Sequence, residues 1–308
     1  MWHNTKNKRK SAFGKEVEIY NGTEWKSISK YRKGEKILCF FWEDNENRVE
    51  LLEPLAYIKH KNNDMVRIKI QKMDFSLNRD ATFIGDYDGN SPDSKQKSIC
   101  TTQQAIDGNF AIFAHCRAYS SFTYNSTTTS MLSADQLRVM TLSIMYGEIT
   151  NGMYCTLKTK SKTLKKHLQK CLKGGKIKSK VVMEGEEAVF SYILPRAKEL
   201  FCTSPLMLSN SEIYIVIDEL NRGFEKNKIR CEDVQIQTFI QMVYARSGRR
   251  VQIHNNDIKR SNNGFTLLER RCKYCRSRET MEYSFTTRGG YFMIRVNGTI
   301  LAVGDYVK

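Results

Sequence analysis

The sequence predicts an α+β protein in which an all-β domain is split by an inserted α+β domain. Short strands separated by turn residues dominate the first part of the chain. Helix and strand patterns alternate in the middle, and strand patterns return near the end. An order of β, then α+β, then β is explained most simply by an insertion into one β-domain. We expect a basic tail over 1–10, the β-domain over 11–117 and 262–308, and the inserted domain over 118–261.

The composition is that of a globular protein with a strong positive charge. Of the 308 residues, 40% are hydrophobic and 27% are charged, and the formal net charge is +17. No stretch reaches the roughly 18 apolar residues that a membrane span requires. The N-terminal segment lacks the apolar region of a secretory signal, which predicts a soluble intracellular protein. The charge favours a polyanionic partner, usually nucleic acid, over a merely solvated lysine-rich surface.

The first part of the chain has the pattern of an all-β unit. Strands are expected at 17–20 and 25–28 around Asn21-Gly22, then at 36–42 and 48–52. Residues 65–70 alternate apolar and basic side chains, which is typical of a half-buried strand. The segment from 85 to 130 is rich in glycine, serine and threonine and is expected to form loops.

The middle of the chain begins with the clearest helix. Ser133 is a good N-cap for a helix over 135–146, and Gly147 is expected to end it. Apolar residues on more than one face indicate a buried helix. Further helices are expected at 162–172, 212–220 and 233–246. Strands are expected at 152–160, 176–183, 187–194, 228–230 and 250–253.

The end of the chain returns to a β pattern. Strands are expected at 265–268, 283–287, 291–296 and 299–303, the last two joined by the hairpin turn Asn297-Gly298. Seven of the nine cysteines are scattered singly, as buried thiols in a reducing compartment are. Cys272 and Cys275 form a C-x-x-C pair without further ligands at matching spacing, which favours a turn with reduced thiols over a zinc site.

Both ends of the chain resemble the conserved blocks of phage inteins. At the N-terminal end, residues 11–17, Trp25–Ile28 and Lys33–Leu38 are similar to the opening blocks. At the C-terminal end, residues 283–287 and 293–305 resemble the closing blocks. The resemblance implies a split self-splicing β-domain, known as a Hint domain, and a place in the cytoplasm of a phage-infected bacterial cell.

The inserted domain resembles a LAGLIDADG homing endonuclease. Residues 133–149 are similar to the first motif helix, and residues 212–223 are a poorer match to the second. The resemblance implies two helices side by side, each with one carboxylate at its foot, that hold divalent metal, Mg²⁺, between two scissile phosphates. Two pseudo-repeated β-sheets would form a basic saddle on double-stranded DNA.

Several residues depart from what these two families require. The motif acids would fall at Tyr146 and near Arg222, and tyrosine is a poor ligand for a hard cation. The candidate catalytic residues that remain are Glu148, Asp218 and Glu219, and no metal ligand is assigned.

The splicing residues depart from the intein pattern in the same way. The splicing nucleophile would be Ser11, a weaker nucleophile than a thiol. Ala81 or Asp80 stands where a histidine is expected, with His60 nearby and expected on the surface. Asp305 and Tyr306 stand where the cyclising asparagine and the next nucleophile are expected. Splicing is therefore expected to be lost.

Basic residues mark the expected DNA-binding surface. From residue 158 to residue 180 the sequence contains ten lysines and no carboxylate. In the strand at 154–160, alternate residues share one face that can meet phosphates. The DNA-binding candidates are Tyr154, Lys158, Lys160, Lys162, Lys165, Lys166, Lys176, Lys178, Lys180, Arg230, Arg249 and Arg250.

Three functions remain open from the sequence. The first is a DNA-binding protein derived from an intein-encoded homing endonuclease, with splicing lost and cleavage weak or lost. The second is an active Mg²⁺-dependent site-specific DNA endonuclease that uses Glu148 with Asp218 or Glu219. The third is a repurposed phage protein that binds a host or virion protein.

Overall fold

The computed structural model describes residues 11–43, 46–70, 73–88, 95–103, 116–119, 132–151, 153–194, 205–223, 228–261, 265–267 and 273–306. These residues form helices and antiparallel sheets, which confirms the predicted α+β class. Among them, no helix is long and apolar enough to cross a membrane. The chain divides into two compact units: unit 1 comprises 1–124, 248–254 and 261–308, and unit 2 comprises 125–247 and 255–260.

Unit 1 is built from strands that come from both ends of the chain. They are β1 (Glu18–Tyr20), β2 (Trp25–Ser27), β3 (Ile37–Glu43), β4 (Glu46–Leu52), β5 (Ala56–Lys61), β6 (Val66–Ile70), β7 (Met73–Leu77), β8 (Thr82–Asp88), β9 (Lys95–Thr101), β10 (Cys116–Tyr119), β16 (Arg250–His254), β18 (Phe265–Leu267), β19 (Lys273–Arg276), β20 (Met281–Thr286), β21 (Tyr291–Val296) and β22 (Thr299–Gly304). The largest sheet has the order β18-β10-β8-β22-β21-β1-β2, with β3 and β4 branching from β21 and β9 from β8. Smaller sheets have the orders β19-β6-β7 and β20-β5.

The core of unit 1 joins residues that are far apart in the sequence. Phe13, Phe75, Phe83, Phe285 and Phe292 are all fully buried in one cluster. The rings of Phe13 and Phe292 meet edge to face, with centroids 5.9 Å apart. Burial of such a side chain stabilises the fold by roughly 1.5–3 kcal/mol. Both chain ends are therefore required to complete this core.

The segment expected to be loop-rich contains three strands, so that prediction was wrong in part. β8 and β9 pair antiparallel from Thr82↔Thr101 to Asp88↔Lys95. The polar run at the start of β9 shows no apolar alternation, so only pairing with β8 makes it a strand. Residues 89–92 and 126–130 of the expected loop lie outside the described residues.

Unit 2 alternates helices and strands. Its elements are α1 (Ala134–Tyr146), β11 (Gly147–Thr150), β12 (Tyr154–Thr159), α2 (Lys162–Gly174), β13 (Ser179–Glu184), β14 (Glu187–Ile193), α3 (Asn210–Gly223), β15 (Lys228–Arg230), α4 (Val234–Arg246) and β17 (Asp257–Ser261). Four strands form a sheet of order β11-β12-β14-β13, and β15 pairs with β17. One face of the four-stranded sheet packs on α1 and α2 through Leu142, Leu157, Leu168 and Phe190.

Helix α1 begins as predicted but ends for a different reason. Ser133 and Gln136 form a capping box, which confirms the predicted N-cap. Gly147 is extended (φ −99°) rather than left-handed, and it leads directly into β11, a strand that the sequence patterns did not predict. A Cβ at Gly147 would lie 2.5 Å from Cys155 Sγ and 2.8 Å from the carbonyl oxygen of Ser143. Glycine is needed there because two neighbours approach closely.

Helix α3 is longer than predicted. The backbone N–H of Glu212 donates to Ser209 Oγ (3.3 Å), and the N–H of Ser209 donates to Glu212 Oε2 (2.7 Å). This reciprocal pair is the S-x-x-E capping box, a signal that the sequence carries and that was missed. The helix continues to Gly223, so Arg222 lies in its last turn.

Candidate nucleic-acid interface

The four-stranded sheet of unit 2 has one face turned away from the helices. In β12, Cys155, Leu157 and Thr159 are buried, whereas Tyr154 and Lys158 are exposed, which confirms the predicted alternation. Cross-strand partners share a face, and Thr156 pairs with Ser191, which pairs in turn with Lys180. We call the surface formed by Tyr154, Thr156, Lys158, Lys180 and Ser191 the sheet face.

Three carboxylates, those of Glu148, Glu184 and Glu187, lie on the sheet face as well, since Glu187 is the cross-strand partner of Glu184. Glu148 is exposed in β11 and pairs in register with Thr156. Glu184 Oε2 lies 3.5 Å from Lys158 Nζ, and both side chains are more than half exposed. Such an exposed ion pair contributes little, about 0–1 kcal/mol. Lys158 therefore keeps the freedom to exchange Glu184 for a phosphate.

A second basic surface of unit 2 is a groove of about 1040 Å³ between α1, α2 and α3. Tyr146 and Arg222, the residues at the two positions where the motif acids were expected, both line it. Its remaining lining includes Leu142, Lys158, Lys162, Leu164, Lys166, His167, Lys170 and Glu219. We call this surface the basic groove. The groove brings together the C-terminal ends of α1 and α3, the two helices that the resemblance identifies as motif helices.

A histidine paired with a buried carboxylate lies in the basic groove. His167 Nε2 is 2.9 Å and 3.0 Å from the two carboxylate oxygens of Glu219, which is fully buried. Cys171 Sγ lies 3.9 Å from the same His167 nitrogen. Burial, with the nearby Glu219 carboxylate, raises the pKa of Cys171 to about 11. A nucleophilic relay needs one imidazole nitrogen for the thiol and the other for the acid, so this arrangement does not activate the thiol.

The three candidate catalytic acids do not converge. Glu148 lies on the sheet face, Asp218 Oδ2 accepts a hydrogen bond from Arg222 Nη2 (3.1 Å), and Glu219 pairs with His167. In the part of the chain that the structure describes, no three His, Cys, Asp or Glu side chains form a metal-binding group. Mg²⁺ prefers several carboxylate or water oxygens, and lysines repel it. The residues of the basic groove do not fit a magnesium site.

The other basic candidates occupy different surroundings. Lys165 Nζ lies 3.4 Å from Met183 Sδ, and Lys160, Lys176 and Lys178 are exposed in the segments beside β12, α2 and β13. Arg230 is exposed in unit 2 and lies 3.5 Å from Glu232.

Arg249 and Arg250 belong to unit 1. Burial lowers the pKa of Arg250. Arg246 lies close to these two residues in the sequence. It is buried and donates to the carbonyl oxygens of Pro205 (2.8 Å) and Leu208 (2.6 Å), so it holds α4 against the segment 205–208. Lys158, Lys162, Lys166 and Lys170 line the basic groove together, but Lys160 and Lys165 do not, and Arg230 is not placed in one unit with Arg249 and Arg250.

In unit 1, Ser11 and Asp305, which were expected at the first and last positions of the splicing domain, contact each other. The backbone N–H of Ser11 donates to the carbonyl oxygen of Asp305 (3.2 Å), and both residues are fully buried. Ser11 Oγ accepts from the backbone N–H of Thr82 and lies 3.1 Å from Thr82 Oγ1. Asp305 Oδ2 accepts from the N–H of Thr287 (2.8 Å). Hydroxyl and amide groups surround the Ser11 hydroxyl, and these are weak bases.

His60 and the C-x-x-C pair have separate surroundings. His60 pairs with Glu282, a nearly buried carboxylate that also accepts from Asn62 Nδ2 (2.7 Å), and sequence patterns gave no signal for Glu282. Cys275 is exposed in the strand β19, where it pairs with Arg67, so the expected turn was wrong at this residue; Cys272 lies outside the described residues.

Comparison with known proteins finds weak structural likeness. No protein-family model matches the chain, and no curated protein matches it. Among solved structures, a GSH-linked, splice-inactive variant of the AceL NrdHF class 3 split intein matches with 8% identity and a TM-score of 0.36. The match covers 96% of this chain and 97% of that one. A likeness at this identity and TM-score does not assign the chain to a family.

Proposed function

We propose that the chain binds double-stranded DNA through unit 2. The sheet face carries the proposal: Lys158 and Lys180, with the hydroxyls of Thr156 and Ser191 and the ring of Tyr154, lie together on the exposed side of one antiparallel sheet. Lysines neutralise phosphates, and hydroxyl and phenol groups donate to phosphate oxygens. The net charge of +17 adds a long-range attraction for the duplex.

The proposal extends to the origin of the chain. We propose an intein-like β-domain with an inserted LAGLIDADG-like domain, in which splicing is lost and cleavage is weak or lost. The resemblance of both chain ends and of residues 133–149 supports the scaffold. The weak-base surroundings of Ser11 support the loss of splicing, and the separated acids Glu148, Asp218 and Glu219 support weak or absent cleavage.

Duplex binding as a function of salt tests the function. Fluorescence anisotropy with a labelled duplex should show affinity falling steeply between 50 and 200 mM salt, by about tenfold or more. Lys158→Gln and Lys180→Gln should each weaken binding and flatten the salt slope by about one unit, because each removes a phosphate contact.

Lys33→Gln is the matched control, because it removes an exposed lysine of unit 1 from a turn. It should leave the slope nearly unchanged. Absence of duplex binding at 50 mM salt, or equal losses in all three variants, would refute the proposal. Capture of a stoichiometric protein partner without nucleic acid would favour the repurposed binding protein instead.

A further inference from the structure

We propose that the basic groove is a binding site for a nucleoside polyphosphate and that it takes this ligand without a divalent cation. The inference goes beyond duplex binding at the sheet face, because the groove shares only Lys158 with that face and has its own shape. The lysine-rich lining of the groove does not suit the magnesium site that the resemblance implies.

The groove is strongly basic. Four cationic side chains line it, namely Lys162, Lys166, Lys170 and Arg222, against the single carboxylate of Glu219. His167 shields that carboxylate, since its Nε2 faces both oxygens. Among the described residues, Asp218 and Glu184 pair with Arg222 and Lys158, and both of these acids are more than half exposed. An anion that enters the groove therefore meets a surplus of positive charge.

Three lysines of the groove lie in one row. Lys162, Lys166 and Lys170 follow at intervals of four along α2, so they form one row on one face of the helix. Within the described ranges, no ion pair with a carboxylate is formed by any of the three. A row of amino groups about 6 Å apart suits a ligand with successive phosphates better than a single phosphate. The first turn of α2, which carries no acidic residue, borders the same groove and adds the positive end of a helix dipole.

The groove also has an apolar part. Leu142, Leu164 and the ring of Tyr146 line it beside the cations, and Tyr146 is 41% exposed. A planar base can stack on a tyrosine ring and cover leucine side chains, as in other sites that bind bases. Small-molecule sites combine such apolar lining with a few polar groups. A volume of about 1040 Å³ leaves room for a base, a ribose and several phosphates.

Isothermal titration calorimetry of the full chain in EDTA tests the proposal. The probes are ATP, inorganic tripolyphosphate and adenosine. We expect ATP to bind, tripolyphosphate to bind at least about threefold more weakly, and adenosine not to bind measurably, because base and phosphates both contribute. Lys166→Gln and Lys170→Gln should each weaken ATP binding by about three- to tenfold.

Two matched variants separate the groove from general electrostatics. Lys173→Gln removes an exposed lysine of the same helix that does not line the groove, and Lys180→Gln removes one from the sheet face. Both should leave ATP binding within twofold, while Lys180→Gln still weakens duplex binding. Far-ultraviolet circular dichroism should show the same fold for all variants.

Four results would overturn the proposal. They are no ATP binding at millimolar concentration, equal binding of ATP and tripolyphosphate, an absolute requirement for Mg²⁺, and equal weakening by Lys173→Gln or Lys180→Gln. Failure of duplex binding alone would leave this groove standing, because the two ligands are measured separately.

Discussion

At the scale of single residues, burial sets the chemistry of the thiols. Cys39 in β3 is nearly fully buried, and burial, with the charge of Asp305, raises its pKa to about 12. Burial likewise raises the pKa of Cys155 and brings that of Cys171 to about 11. Cys275 is exposed. A thiol reacts as its thiolate, so the buried thiols should be inert at neutral pH.

We therefore expect an alkaline loss of stability. In the unfolded chain these thiols ionise near their usual value of 9.0, whereas in the folded chain Cys39 and Cys171 hold their protons to about 12 and 11. Their contribution is complete below pH 9 and is lost as pH rises through 11 to 12. The free energy of unfolding in urea, measured at several pH values from 7 upwards, should fall above about pH 9.

Thiol labelling at pH 8 provides the control for that measurement. Mass spectrometry after brief treatment with N-ethylmaleimide should find Cys275 modified and Cys39 and Cys171 modified only in urea. A Cys39→Ala variant should show a shallower alkaline decline. Rapid native labelling of Cys39, or an unchanged decline in Cys39→Ala, would contradict the account.

At the scale of elements, β13 is the exposed edge of its sheet. In the described part of the chain it pairs on one side only, with β14. All six of its residues are exposed, and Val181, Val182 and Met183 are 39%, 44% and 51% exposed. An exposed apolar edge strand invites pairing with other chains, which natural proteins suppress with lysine. Its flanking Lys180 and Glu184 are the charged residues at this edge.

A lysine at the centre of β13 should reduce self-association. Val182→Lys is expected to lower the concentration-dependent light scattering of the protein without lowering its melting temperature by more than about 3 °C. Tyr214→Lys is the matched control, since Tyr214 is 68% exposed but lies on helix α3. If both variants reduce scattering equally, loss of exposed apolar surface, and not the strand edge, is the cause.

At the scale of the molecule, two compact units each have a core of their own. Phe292 is fully buried in the core of unit 1, and Phe190 is fully buried in the core of unit 2. The chain passes from unit 2 into unit 1 at residues 248–254 and back for 255–260. The sequence predicted a domain boundary between residues 261 and 262. The compact units instead assign 248–254 and 261–308 to unit 1 and 255–260 to unit 2.

Two matched core variants should affect the units separately. Phe292→Ala and Phe190→Ala each leave a cavity that costs about 3–5 kcal/mol. We expect two thermal transitions by calorimetry, with Phe292→Ala lowering one midpoint and Phe190→Ala the other. A single transition that both variants shift equally would show that the units unfold as one.

Local signals predicted the elements whose causes are local. Ser133 with Gln136 marked the start of α1, Asn297-Gly298 marked a hairpin, and the alternation of β12 showed which side chains share a face. β9, β11 and β17 were missed because their short or polar segments become strands only by pairing with another strand. In the same way, nothing in the residues around Glu282 indicates that His60 pairs with it.

The candidate site likewise combines features that the sequence sets with contacts that only the fold sets. By itself, the sequence determined the surplus of positive charge, the lysine run and the absence of acids at Tyr146 and Arg222, because residue identity fixes charge. Only the tertiary structure decided that these two residues line one groove, that His167 shields Glu219 there, and that Ser11 meets Asp305. Those contacts join residues 52 or more positions apart, and such approaches are set by the packing of whole elements.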